Sequence, residues 1–231
     1  MPPNTHSAAE ACLPVNSYLG RSLPSDQLEK LQAKAHTVEL GRGDYLIRQH
    51  CQAKQVYTIE SGNILVERIG LSGKRQVLGF LFPGDFLGFT HNDYFEFSAI
   101  AMSPSRVWSY SRKDLMNLAD SIPGIKKNIE TIHNQVLARA LDQVFALGQK
   151  KAHERICFLF KMLLERQPGA EAHNLNLPMS RQDIADFLGL TIETVSRAFA
   201  KLKEMEIIEV DHIHHVNIID VAQMEELACA E

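Results

Sequence analysis

Between residues 37 and 112 the apolar residues come in short runs, whereas past residue 123 they recur at helical spacing. The runs are Val38-Glu39-Leu40, Tyr45-Leu46-Ile47, Val56 to Ile59, Ile64-Leu65-Val66, Gln76 to Phe82, Ser98 to Met102 and Val107 to Tyr110. Turn-forming clusters separate them, at Gly41 to Asp44, Ser61-Gly62-Asn63, Ser72-Gly73, Pro83-Gly84-Asp85 and Pro104. Strands this short with turn signals this regular predict a β-sandwich or β-roll. Ahead of them, residues 1–24 mix Pro, Ser, Asn and Ala without a period and are expected to be poorly ordered. Ser25 can then cap a short helix carrying Leu28 and Leu31.

After Pro123 the residues Ile125, Ile129, Ile132, Val136, Ala140, Val144 and Leu147 follow one another in steps of three or four. They form one apolar stripe on a long helix. Such a stripe must be covered, and two copies of the chain can cover each other's, so all seven are expected to form a homodimer seam. A further helix is expected at about 153–166, with Ile156, Leu159, Phe160 and Leu163 inward, followed by a Pro168-Gly169 loop. The predicted class is α+β. A poorly ordered segment (1–24) precedes a β-roll effector-type domain (25–120), a dimerisation helix (121–149) and a C-terminal domain (150–231).

That last domain carries the candidate chemistry. Ser180, with Asp183 three residues on, resembles a capping box, Ile184 and Leu188 supply an inner face, and Gly189 ends the helix. Thr191 can cap a second helix whose Val195, Phe199 and Leu202 lie inward, and the small Ala185 lets the two pack closely as a helix-turn-helix. Glu193, Ser196 and Arg197 are left outside. Glu can accept from a cytosine amino group, Arg can bond guanine O6 and N7 together, and Ser can serve either role, which makes these three candidate base readers. Arg181, Thr191 and Thr194 near the helix N-termini, and Lys201 farther along, are candidate phosphate contacts. Residues 207–210 and 216–219 read as a hairpin wing around Asp211-His212-Ile213-His214-His215. Alternate positions on a short hairpin face opposite sides, so these histidines are not expected to bind metal.

Composition changes this picture little. The chain has 231 residues, 45% hydrophobic and 23% charged, as in ordinary globular proteins. The net charge of -4 argues at first against nucleic acid, but residues 204–231 hold eight acids and no Lys or Arg, so the acidity belongs to the tail. Neither a membrane-length apolar run nor a leader-like start is evident, which predicts a cytoplasmic protein without membrane contact. Cysteines at 12, 51, 157 and 229 are too far apart for a zinc ribbon or a redox pair.

With these residues in hand, the chain resembles the CRP/FNR family of bacterial transcription regulators over essentially all of 25–227. Gly43-Asp44, Leu46-Ile47, Tyr57 to Gly62 and Pro83-Gly84-Asp85-Phe86-Leu87-Gly88 look like its cyclic-nucleotide-binding-like β-roll, and 188–197 look like its recognition element. Pro178 to Ala185 are most similar to the FixK/FnrN subclass. The resemblance implies a winged helix-turn-helix homodimer on double-stranded DNA, at a TTGAT-N4-ATCAA-like palindrome. It also implies recruitment of RNA polymerase, as an activator rather than an enzyme.

Some departures bear on the effector. Where a cyclic nucleotide would need an acid and an Arg-Ser pair, the chain has Phe89 and Phe97-Ser98. Only Cys12 stands in the N-terminal region where an iron–sulfur cluster would need several cysteines. No cofactor is therefore expected, and Phe80, Phe82, Phe86, Phe89 and Phe97 can be read as a filled core. An unidentified small molecule, or haem on His50 or His91, is the ligand-gated alternative. A cupin-like metalloenzyme is the rival from another class. It lacks a His-x-His pair around His50 and leaves residues 178–219 unexplained.

Overall fold

The computed structural model describes residues 17–166, 173–212 and 214–229. Cys12, the Pro168-Gly169 loop and Ile213 lie outside the described residues. Helix α1 (Ser25–Gln32) is followed by β1 (Ala35–Leu40), β2 (Tyr45–Ile47), β3 (Gln55–Ser61), β4 (Ile64–Ile69), β5 (Arg75–Leu81), β6 (Phe86–Leu87), β7 (Ser98–Ala101) and β8 (Ser105–Ser111). These strands make two four-stranded antiparallel sheets, in the orders β1-β8-β3-β6 and β2-β7-β4-β5. Ile47, Ile59, Ile64, Phe95, Ala99 and Val107 fill the space between the sheets. Gly62 has a φ of +83°, and a Cβ there would collide with the Pro104 carbonyl, 2.6 Å away, so only glycine fits this turn.

The other face of the first sheet turns Val56, Trp108 and Tyr110 toward helices α2 (Arg112–Ser121) and α3 (Pro123–Gln149). Here the expectation for the long helix is corrected. Ile125, Ile129 and Ile132 are buried in this chain's own core, with Leu115, Ala119 and Phe86, and have no surface left for a second subunit. The stripe becomes open only in the second half of α3. There Val136, Leu137, Leu141, Val144 and Phe145 are exposed, Val144 to 68%, and Ala140 lies among them. Leu147 is half-buried, close to Gly189. Residues 17–24 also depart from expectation. Leu19 is fully buried, and Asn128 of α3 donates to the carbonyls of Leu19 and Arg21 at 2.9 Å. That tie orders a segment whose composition carries no period.

Helix α4 (Ala152–Leu164), β9 (Asn174–Asn176), α5 (Arg181–Leu188), α6 (Ile192–Glu204), β10 (Ile208–His212), β11 (His215–Ile218) and α7 (Val221–Cys229) complete the chain. The wing is a three-stranded antiparallel sheet in the order β10-β11-β9. Ile156, Leu159, Phe160 and Leu163 of α4 meet Ile184 and Phe187 of α5 and Val195, Phe199 and Leu202 of α6 in one core. Phe80 and Phe82 of the roll join that same core: Phe80 lies 5.1 Å from the Phe187 ring. The five aromatic side chains therefore serve different places, because Phe86 and Phe89 stack on each other and Phe97 on Phe95.

Candidate nucleic-acid interface

Helix α5 begins at Ser180, whose Oγ accepts from the Asp183 N–H at 3.1 Å while Asp183 accepts from the Ser180 N–H at 2.9 Å. Two N-terminal donors are thereby satisfied reciprocally. Gly189, with φ +62°, ends the helix in the left-handed conformation, and the Leu190 N–H returns to the Ala185 carbonyl at 3.0 Å. Within two residues the chain enters α6. Thr191 caps it, its Oγ1 accepting from the Thr194 N–H at 3.3 Å.

The inner face of α6 is closed by Val195, Ala198, Phe199 and Leu202, which leaves Glu193, Ser196 and Arg197 together on the exposed side. Arg197 donates to Thr194 Oγ1 at 3.3 Å, and Thr194 Oγ1 lies 3.1 Å from Thr191 Oγ1. This chain of hydroxyls steadies the guanidinium from behind. A hydrogen bond from Thr191, the helix N–H of Glu193 itself and the nearby Arg197 charge hold the Glu193 carboxyl below its usual range. It is therefore an acceptor at neutral pH. Ser196 donates to the Ile192 carbonyl at 2.9 Å, so its lone pairs face outward.

Lys201 stands exposed one turn beyond, its Nζ 3.3 Å from His153 Nε2 on α4. Burial, followed by the Lys201 charge, holds the His153 pKa below its ordinary value. A neutral imidazole can accept from the ammonium, and sequence spacing offers no hint of this contact across 48 residues. Arg181 is a correction. Its guanidinium lies 3.5 Å from the centre of the Phe199 ring, and one guanidinium nitrogen is buried with no hydrogen-bond partner among the described residues. Stacking turns it inward as a packing side chain, away from a phosphate.

The helix pair is clamped to the β-roll. Arg75 of β5 donates to Glu67 at 2.5 Å, to Asp183 at 2.8 Å and to Asp186 at 2.7 Å. The Gln76 amide donates to the Asp186 and Phe187 carbonyls, and Gln143 of α3 reaches the Phe187 carbonyl at 2.9 Å. Arg155 ties Leu147, Lys150 and Leu188 together through three backbone carbonyls. Arg166 pairs with the buried Asp85 of the Pro83-Gly84-Asp85 turn. The pairs that join the helix pair to the rest of the chain, Arg75 with Asp183 and Asp186, Gln143 with Phe187, Arg155 with Leu188 and Arg166 with Asp85, lie 33 to 111 residues apart in sequence.

The Crp-like helix-turn-helix domain matches residues 154–227, and the cyclic nucleotide-binding domain matches 37–121. The chain is 30% identical over 230 residues to the nitrogen fixation regulation protein FixK of Bradyrhizobium diazoefficiens, covering 99% of this chain and 96% of that one. It is 32% identical over 209 residues to the transcriptional activatory protein AadR of Rhodopseudomonas palustris, covering 90% and 87%. The structure of FixK2 from Bradyrhizobium japonicum superposes with a TM-score of 0.79 at 27% identity, covering 85% of this chain and 98% of that one. The chain belongs to the CRP/FNR family: it is a DNA-binding transcription regulator, with its Crp-like helix-turn-helix domain at residues 154–227.

Proposed function

We propose that this regulator acts in the cytoplasm as a homodimer on a TTGAT-N4-ATCAA-like palindrome and activates transcription through contact with RNA polymerase. The observation that carries the base readout is the exposed triad of Glu193, Ser196 and Arg197 on one face of α6, with Arg197 braced by Thr194. In this reading Arg197 takes guanine O6 and N7, Glu193 accepts from a cytosine amino group, and Ser196 adds a third contact. Thr191, Thr194 and Lys201 hold the backbone. Each subunit reads one half-site, and the open half of the α3 stripe, Val136 to Phe145, couples the two copies. Operator binding needs no cyclic nucleotide: Phe89 packs against Phe86 at 4.9 Å and His133 at 5.0 Å, which offers a nucleotide neither an acid nor a guanidinium there.

The test is a gel-shift comparison on the specific duplex and a scrambled one. Arg197→Ala is expected to cost about 1–3 kcal/mol on the specific duplex and to relax selectivity at the guanine position. Lys201→Ala is expected to weaken both duplexes alike and to flatten the salt dependence. Equal binding of wild type and Arg197→Ala to both duplexes would remove the assignment.

A further inference from the structure

A cavity of about 540 Å³ opens at the outer end of the β-roll, between β2 and the β4–β5 hairpin. Its volume is within the range usual for small-molecule sites, about 300–1,000 Å³. No acidic residue lines it, whereas Arg48 and Arg68 both do. The Arg48 guanidinium lies 3.9 Å from the centre of the Tyr45 ring and has no hydrogen-bonding or ion-pair partner among the described residues. Arg68 reaches Glu96 only at 3.5 Å, in an exposed pair that is easily exchanged. His50, also on the wall, has a φ of +69°, a conformation non-glycine residues seldom adopt and one that gathers at binding sites. Ile69 and Leu71 add an apolar side, Leu71 fully exposed to water.

The cavity is also wired to the DNA-binding domain. The Gln49 side chain holds both the N–H and the carbonyl of Ile69, each at 3.1 Å. Directly across the hairpin, Ile69 pairs with Arg75, the residue that grips Asp183 and Asp186 of α5. The wall of the cavity and the clamp on the helix pair are thus two sides of one strand pair.

We propose that this cavity binds a small organic anion with an apolar body, its carboxylate or phosphate taken by Arg48 and Arg68 and its body laid on Ile69 and Leu71. Guanidinium forks match both headgroups in geometry, and exposed apolar side chains at the rim gain by being covered. Occupation braces Ile69, and through Arg75 it steadies α5 and α6 for DNA. This second step rests on the DNA-binding reading above; the binding step does not.

Calorimetric titration of the full chain with phenyl phosphate and with benzoate tests the site, with inorganic phosphate and benzylammonium as controls. Saturable binding of an organic anion is expected, with the tighter of the two identifying the headgroup. Inorganic phosphate is expected to bind at least about tenfold more weakly, having no apolar body, and benzylammonium not to bind. Arg48→Gln and Arg68→Gln should each lower affinity about tenfold or more, with unchanged melting curves because both side chains are exposed. No saturable binding, equal binding of inorganic phosphate, or binding that neither substitution weakens overturns the site. For the coupling, saturating phenyl phosphate is expected to tighten operator binding at least about fivefold in wild type and not in Arg48→Gln. An unchanged operator affinity overturns the coupling. Failure to bind the operator with or without the anion would instead strike the DNA-binding reading, while the calorimetry still decides the site.

Discussion

At the scale of single residues, the contact between Lys201 and His153 ties the stability of the C-terminal domain to pH. His153 is nearly enclosed, its side chain 12% exposed, and both burial and the Lys201 charge depress its pKa. The folded state therefore favours the neutral ring. Stability from this residue is full above the unfolded histidine pKa of about 6.5 and is lost as pH falls through that value toward the lower folded pKa. Protonation also places two positive charges 3.3 Å apart and frees Lys201. Thermal melts between pH 8 and pH 5.5 should show an acid loss of stability that is smaller in His153→Gln. An identical acid loss in that variant would mean that other groups carry it. Cys157, four residues along on the same helix, behaves differently. It is fully buried, and burial, with the Glu154 charge behind it, pushes its thiol up to about 12. Almost no thiolate exists at neutral pH, so this cysteine is a core side chain and a poor target for peroxide.

At the scale of elements, the clamp between β5 and α5 rests on one guanidinium facing three carboxylates, with side-chain exposures of 5%, 19% and 15% for Glu67, Asp183 and Asp186. Desolvation is offset only while Arg75 is present. Arg75→Met keeps the aliphatic stem but leaves the three acids facing one another. It is expected to destabilise by on the order of 2 kcal/mol and to expose the β5–α5 junction to protease. An unchanged melt and unchanged cleavage would show that Gln76, Phe80 and Arg166 suffice. Local patterning foretold much else: all seven apolar runs of the β-region are strands, and the Ser180-Asp183 box, the Gly189 stop and the Thr191 cap are as read. The two-residue β6, the three-residue β9 and helices α2 and α7 went unread, since each is short or lacks a strong period. The Arg75 clamp was invisible for another reason. Asp183 is visible as a cap, but nothing local shows that a residue 108 positions away will seek the same carboxylate.

At the scale of the whole molecule, the long helix shows why a stripe does not name its partner. Spacing shows that Ile125 to Leu147 share a face, but which surface covers each part depends on where the roll ends. The roll covers Ile125, Ile129 and Ile132, and the open half offers Val136, Leu137, Leu141, Val144 and Phe145. Large apolar side chains at helical spacing on an exposed face favour a matching surface, and a second copy supplies one by a two-fold axis. Charge introduced there tests the dimer without touching the fold of one subunit. Val144, 68% exposed, is the better site, whereas a charge at Ile132 would unfold the chain's own core and report nothing about assembly. Val144→Glu is expected to place like charges across the axis, so that sedimentation shifts toward monomer while the circular dichroism spectrum and melt remain near wild type. Operator affinity should fall with it, by about a hundredfold or more, because linking two half-site contacts contributes an effective concentration that separate subunits lack. A variant that remains dimeric and binds the operator as before would place the subunit contact on another face of the molecule.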